Sequence, residues 1–343
     1  VALKLNLVSA MKPEQAATVH PAVVCALTRM LTARGAHVIL GDSPGGLYTA
    51  AHLQRVYDVT GLRAAQALGA ELNQDFSVAD VSFPAAVQAR HFTTTAYLQK
   101  ADAVIDVCKL KTHGMMGMSN AVKNFFGTIP GTMKPEYHYK YPKIEDFSDM
   151  IVDLNEYFRP RLCICDAVTA MEGNGPTQGT PIHIGALAAS ASPHKLDLLC
   201  TELIGLGMQD VPTLRAAHAR GLIPDSAAGL TVSGDPDTLR RPDFHAPQAQ
   251  SSMASFRLGS GVIGKFTACF AGRAFTPAPR VAPAECIGCG KCAKICPAKA
   301  ITMQNRLPVI RRSQCIHCFC CQEFCPKGAM KVSRPLIARI LNR

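Results

Sequence analysis

Nowhere in the 343 residues does uninterrupted apolar sequence reach the length that a membrane-crossing helix needs, and no signal peptide is visible. Neither a Walker loop nor a G-x-G-x-x-G fingerprint occurs, and no recognised flavin fingerprint is present. Acids are scarce at one end: residues 282–343 carry eleven Lys and Arg against two acids. That stretch is therefore +9, leaving +2 of the chain's +11 for the first 281 residues. A near-neutral large part argues against nucleic acid, which needs a concentrated basic face. Val1 stands where an initiator Met is usual, so a trimmed start is expected.

What the chain has in abundance is cysteine, fifteen in all. Cys286, Cys289, Cys292 and Cys296-Pro297 form a C-x2-C-x2-C-x3-C-P run, repeated 29 residues later by Cys315, Cys318, Cys321 and Cys325-Pro326. This spacing, given twice, resembles the bacterial two-cluster ferredoxin, in which the fourth Cys of each run ligates the other cluster. It assigns Cys286, Cys289, Cys292 and Cys325 to one [4Fe-4S] cluster and Cys315, Cys318, Cys321 and Cys296 to a second. Zinc sites favour two C-x2-C pairs separated by a longer gap, whereas here a third Cys arrives after only two more residues. Cys320 is a bystander, because substituting it for Cys321 breaks the spacing. The repeat also pairs Ile287 with Ile316 and Ala300-Ile301 with Ala329-Met330. Two Cys-ligated clusters bring about four negative charges, which the interleaved basic residues offset.

Cys25, Cys108, Cys163, Cys165, Cys200 and Cys269 are left over, most of them in apolar runs that suit buried core thiols. Free thiols and iron-sulfur ligands together imply a reducing, cytoplasmic setting.

The rest of the chain alternates strands with helices. Leu3 to Val8 reads as a strand, a helix follows from Pro21 through Arg34, and His37 to Leu40 is the next strand, a parallel βαβ unit. Further strands are expected over 78–83, 103–108, 162–167 and 184–189, with helices over 49–70, 144–158 and 195–206. The fold class is α/β: an α/β sandwich as large domain with a C-terminal two-[4Fe-4S] ferredoxin-type α+β domain. The expected boundaries are 1–235 for the large domain, 236–281 for a proline-rich connector that partly packs, 282–333 for the cluster domain and 334–343 for a basic tail.

Polar residues concentrate after two strand ends. Lys109-Leu-Lys111-Thr112-His113-Gly114, with Lys123-Asn124 and Gly127 beyond, reads as a glycine-rich loop suited to an anion, and equally as a solvated loop. Asp166 ends the later strand, followed by Met171-Glu172-Gly173-Asn174-Gly175-Pro176. Turn chemistry accounts for Gly, Asn and Pro there but not for Glu172, a candidate acid, base or cation ligand. The loop Gly41-Asp42-Ser43-Pro44-Gly45-Gly46 lies past a strand's carboxyl end, where open α/β sheets place ligands.

These segments, with Lys4-Leu-Asn6 and Thr18-Val-His20-Pro21, resemble the family known as domain of unknown function 362 over roughly residues 1–235. Its members often carry a C-terminal ferredoxin domain and usually have more sequence before the Lys-x-Asn motif. Where relatives show a small apolar pair before an Asp, this chain has His194-Lys195-Leu196-Asp197. The resemblance carries over Lys109, Lys111, His113 and Glu172 as catalytic candidates, and Lys123, Asn124, Asp166, Asn174 and Asp197 as substrate-binding candidates.

Two functions compete. One is a ferredoxin-linked reductase whose two clusters deliver single electrons to an anionic small molecule on the large domain. The other is a non-catalytic electron carrier or adaptor docking onto a redox enzyme. Both require a soluble electron donor or acceptor protein, neither uses nucleic acid, and any further cofactor is unknown.

Overall fold

A computed structural model describes residues 1–246 and 277–333. The first strand, β1 (Ala2–Leu5), is buried at every position, Lys4 included. A strand of this kind has both faces covered, which is the signature of a parallel sheet between helices. The chain leaves it through α1 (Pro21–Thr32), started by Pro21 and by His20, whose Nδ1 accepts from the Ala22 amide. It returns as β2 (Ile39–Gly41), passes α2 (Ala50–Val59) and α3 (Arg63–Gln66), and adds β3 (Glu71–Leu72). The expected strand over 78–83 forms as β4 (Val78–Ser82) but pairs only with β5 (His91–Thr95), as a hairpin apart from the main sheet. After α4 (Ala96–Gln99), β6 (Val104–His113) joins the other side of β1.

A short return strand, β7 (Gly117–Ser119), folds back on the end of β6 and leads into α5 (Ala121–Asn124), α6 (Lys134–Lys140) and α7 (Ile144–Phe158). Then β8 (Leu162–Glu172) pairs parallel to β6, and β9 (Thr180–Ser190) runs antiparallel at the edge, followed by α8 (Pro193–Leu203) and α9 (Pro212–Ala219). The sheet order is β3-β2-β1-β6-β8-β9. Leu3 and Leu5 meet Val24, Leu53 and Tyr57 on one face. Ala2 and Val104 meet Val122, Phe147 and Ile151 on the other, and α8 and α9 close a further core over Cys165 and Ala186. The α/β sandwich is thus present, with helices on both faces of a mainly parallel sheet.

Two strands run further than their sequence suggests. β6 continues past Cys108 to His113 and β8 past Ala167 to Glu172, so the lysines and histidine read as a loop lie on a strand. A charge-rich end looks like a loop when its counter-groups are unseen; here those groups are buried beside it. The pairing also shifts register between Lys109, which faces Asp166, and Lys111, which faces Met171. Such a bulge re-aims side chains that simple alternation would put together.

The small unit begins with β10 (Ala278–Val281), paired antiparallel with β13 (Met330–Ser333), while β11 (Ile301–Gln304) pairs with β12 (Leu307–Ile310). Pairing therefore reaches back to Ala278, earlier than residue 282. Most of the expected connector, with Cys269, lies outside the described residues, as does the 334–343 tail. The sequence repeat is visible in the core, where Ile301 and Met330 pack with Cys292 and Cys321. It is visible in the backbone too. Gly288, Gly290 and Lys299 have φ of 70°, 70° and 49°, and their repeat partners His317, Phe319 and Gly328 have 55°, 58° and 64°. Each half needs the left-handed region at the same three places, which favours glycine.

In the second half His317 and Phe319 occupy two of them. His317 Nδ1 is 2.8 Å from the Pro277 carbonyl, and the buried Phe319 joins the core of the large domain. At Gly290 an added Cβ meets nothing closer than Met303 Cγ at 3.9 Å, so Gly290→Ala isolates the backbone cost. The variant is expected to lose about 1–2 kcal/mol. Anaerobic urea unfolding of the holoprotein measures it, and an unchanged midpoint would show that the left-handed backbone is not a constraint there.

Candidate functional site

The connection from β1 goes to β2 on one side, and β6 lies on the other. The carboxyl end of β1 is thus a point where strand order reverses, the place at which open α/β sheets hold ligands. A crevice of about 970 Å³ opens there, between the sheet and the small unit.

Its floor is a buried polar network. Lys4 Nζ pairs with Asp42 Oδ1 at 2.8 Å and also donates to Asn124 Oδ1 and the Leu5 carbonyl. Asn124 Oδ1 accepts from Asn6 Nδ2 at 2.9 Å, and Asn124 Nδ2 donates to Asp106 Oδ1 at 2.6 Å. Asn6 Oδ1 in turn accepts from Lys111 Nζ at 2.8 Å, and the Ala17 carbonyl accepts a second bond from the same ammonium. Asp42 fixes the next loop by accepting from the Leu7 and Ser43 amides. An unpaired buried charge is costly, so these groups require one another. Burial pushes the Asp106 carboxyl up to about 7, against the pull of Lys4 and Asn124.

The walls are cationic. Lys111, Lys123, Lys134, His113 and His138 line the inner part, and Arg55, His52, Lys291, Lys294 and Lys327 stand around them. The two carboxylates, Asp42 and Glu323, are already engaged, Asp42 by Lys4 and Glu323 by His113 at 3.1 Å. Burial lowers Lys111 and Lys134 to about 7 each, outweighing the upward pull of Glu323 and Asp42. It lowers Lys123 and His113 as well, and His138 to about 3. Burial alone would raise Glu323, but the His113 hydrogen bond and the charges of His113, Lys123 and His138 outweigh it and hold the acid at about 2.

Of the residues singled out by sequence, the crevice brings together Lys111, His113, Lys123 and Asn124. The others serve elsewhere. Lys109 Nζ pairs with Asp166 at 2.8 Å in the core, and Asp166 also accepts from the His20 and Val168 amides. Glu172 holds His245, taking its ring nitrogen and its amide at 2.8 Å each. Asn174 offers its backbone carbonyl to Gln322. Asp197 accepts from the Ala121 and Val122 amides and so fixes the start of α5. The Lys111 strand and the Glu172 turn are neighbours, since the Gly175 amide donates to Thr112 Oγ1, but the Glu172 carboxylate points to His245.

Sequence reasoning missed Lys134, His138, Glu323 and the lining role of Cys320. His138 and Lys134 lie in a Tyr-rich helix with no motif around them, while Glu323 sits inside the second cysteine run and was overshadowed by it.

The small unit supplies one wall. Cys320, Glu323, Phe324 and Cys325-Pro326 line the crevice, and the Phe324 ring lies against Gly45, where a Cβ would come within 2.8 Å of it. Behind that wall Cys286, Cys289, Cys292 and Cys325 surround a small hollow with Met303 and Met330. Cys315, Cys318, Cys321 and Cys296 form a second thiol group: burial raises Cys315 and Cys321, and the neighbouring thiols push the same way. The Ala300 amide donates to Cys296 Sγ at 3.3 Å, a bond that stabilises a thiolate. Among the described residues no three His, Cys, Asp or Glu close on a single point as one zinc ion would require. Sulfurs spaced around a hollow suit a larger iron-sulfur core. Cys25 is half-buried and Cys108, Cys163, Cys165 and Cys200 are buried in the large domain.

An α/β domain carrying an iron-sulfur electron-transfer unit against a crevice at its sheet end is the class this arrangement defines. Residues 1–202 match the domain of unknown function (DUF362) and residues 285–329 the 4Fe-4S dicluster domain, so the chain belongs to the DUF362 family. It is also similar to a thylakoid-associated protein of Synechocystis sp., 33% identical over 237 residues that span 67% of this chain and 70% of that protein. Among the described residues no helix is long and apolar enough to cross a membrane.

Two measurements separate the two kinds of lysine. Asp166→Ala strands a buried ammonium at Lys109 and is expected to cost about 3–5 kcal/mol in urea unfolding while leaving crevice ligands bound as before. In the crevice, Lys111 and Lys134 are about half protonated at pH 7 and must be charged to hold an anion. An anion held there is therefore expected to bind with proton uptake at pH 7.5–8, and its affinity to fall as pH rises above 7. Calorimetry in buffers of different ionisation enthalpy reads that uptake, and a pH-independent affinity between 7 and 9 would contradict it.

Proposed function

We propose that this protein is a ferredoxin-linked reductase, passing electrons singly through two [4Fe-4S] clusters to an anionic small molecule bound in the crevice. The observation that carries the reading is the shared wall: the chain holding Cys325 lines the cationic crevice on one side and the thiol hollow on the other. Cys286, Cys289, Cys292 and Cys325 would hold the first cluster, and Cys315, Cys318, Cys321 and Cys296 the second. When bound, the clusters supply one electron each, which matches a two-electron reduction of the acceptor.

The chain's own residues do the rest. Lys111 and Lys123 neutralise the anion, and Asn6 and Asn124 fix where Lys111 points. Lys111, lowered to about 7 by burial, is the group able to give up a proton near neutrality. Lys109, Asp166, Glu172, Asn174 and Asp197 position the strands and turns that frame the crevice. Electrons come from a soluble donor protein in a reducing, cytoplasmic setting. The donor docks at the opposite face of the unit, where Cys289 is exposed and Ile287 is half exposed.

The test is anaerobic. Protein with about eight irons per chain is reduced by a low-potential dye, and reoxidation of its visible absorbance is followed on adding a panel of anionic acceptors. At least one acceptor is expected to saturate the rate, and Lys111→Ala to abolish that rate with iron content unchanged. Should no acceptor reoxidise the clusters while a pull-down recovers a stoichiometric redox enzyme, the carrier reading replaces this one.

A further inference from the structure

We propose that the inner end of the crevice is a phosphate subsite, so that the molecule reduced there carries a phosphate or pyrophosphate group. This rests on the crevice being the acceptor site and names the class of acceptor.

Four groups from three elements stand at that end: Ser43 from the loop after β2, Lys123 from α5, and Lys134 and His138 from α6. Ser43 is 1% exposed and His138 3% exposed, and Ser43 Oγ and His138 Nδ1 have no hydrogen-bond partner. Buried polar atoms in a native fold are ordinarily paired, so two unpaired ones on residues that line a crevice point to a ligand there. Lys134 Nζ donates to the Ser43 and Ile129 carbonyls at 2.6 and 2.7 Å, which fixes it in place and leaves its third N–H free. Lys123 Nζ sits over the Phe126 ring, 4.5 Å from its centre. Among the described residues neither ammonium has a carboxylate partner.

The backbone around Ser43 is set in advance. Asp42 ties it to Leu7 and Lys4, and the Ser43 amide also donates to the Gly127 carbonyl at 3.2 Å. Gly131 lets the next stretch pass so close that a Cβ there would meet the Pro44 and Gly46 carbonyls at 2.4 Å. Only glycine allows that approach, so the loop and the helix bearing Lys134 and His138 are held at one distance.

The choice of phosphate follows from the donors. A carboxylate offers two coplanar oxygens and is best met by an arginine fork, and no arginine lies on this inner wall. Two lysine point charges, a hydroxyl and an imidazole approaching from different elements suit a doubly charged tetrahedral group with oxygens facing several ways. The loop is no Walker motif, which explains why sequence did not reveal it.

Calorimetry on anaerobic holoprotein with inorganic phosphate and pyrophosphate, and with citrate as carboxylate control, tests the proposal. Pyrophosphate is expected to bind at one site per chain, more tightly than citrate. Ser43→Ala and Lys123→Gln should each weaken it about tenfold or more, with unchanged cluster absorbance reporting the fold. If citrate binds in a Lys123-dependent way and neither phosphate does, the phosphate class is overturned while the reductase reading stands. If no anion binds, both are overturned. If pyrophosphate binds equally to parent, Ser43→Ala and Lys123→Gln, the subsite is not where it is placed here.

Discussion

Lys4 lies on β1, an inner strand of the main sheet, and it is completely buried. A lysine in that position forces the rest of the neighbourhood to be built around it. Asp42 must sit beside it, so the loop after β2 is drawn across the end of β1. Asn124 must reach it from α5, and Asn124 then orders Asn6, which also holds Lys111, and Asp106. Replacing one partner alone would leave a charge or an amide stranded in an apolar sheet, where the penalty far exceeds what an intact contact contributes. The short motifs scattered over the first 127 residues are thereby parts of one structure, joined through side-chain hydrogen bonds.

The same constraint explains what sequence could and could not disclose. The cysteine spacing declared the small unit directly, because a thiolate pattern reflects local loop geometry. The alternation of strands and helices was legible in the large domain because both faces of the sheet are covered by apolar helices. Strand ends were not. Lys109 and Lys111 look alike in sequence, yet one neutralises Asp166 in the core and the other faces the crevice, and the register shift that parts them depends on β8, whose Asp166 lies 57 residues further along the chain. Glu172 looked available because His245, its partner, has no motif. Lys134 and His138 escaped notice since their significance lies only in what they approach.

The two halves of the small unit are alike in plan and unlike in use. The first relies on Gly288 and Gly290 and leaves Cys289 exposed. The second places His317 and Phe319 in the same left-handed positions, which costs backbone energy, and Phe319 recovers it by entering the large domain's core. Duplication provides the plan, and contact with a neighbour decides which copy departs from glycine.

That contact also means the small unit is not an interchangeable cartridge plugged beside a separate host. Glu323 and Phe324 belong at once to a cysteine run and to the crevice lining. A movement that widened the mouth for a visiting molecule would carry the thiols away with it, lengthening the electron's jump at the moment of admission. Under the proposed reading transfer would thus be tied mechanically to closure: the geometry that grips the guest would also be the one in which its source of charge stands nearest.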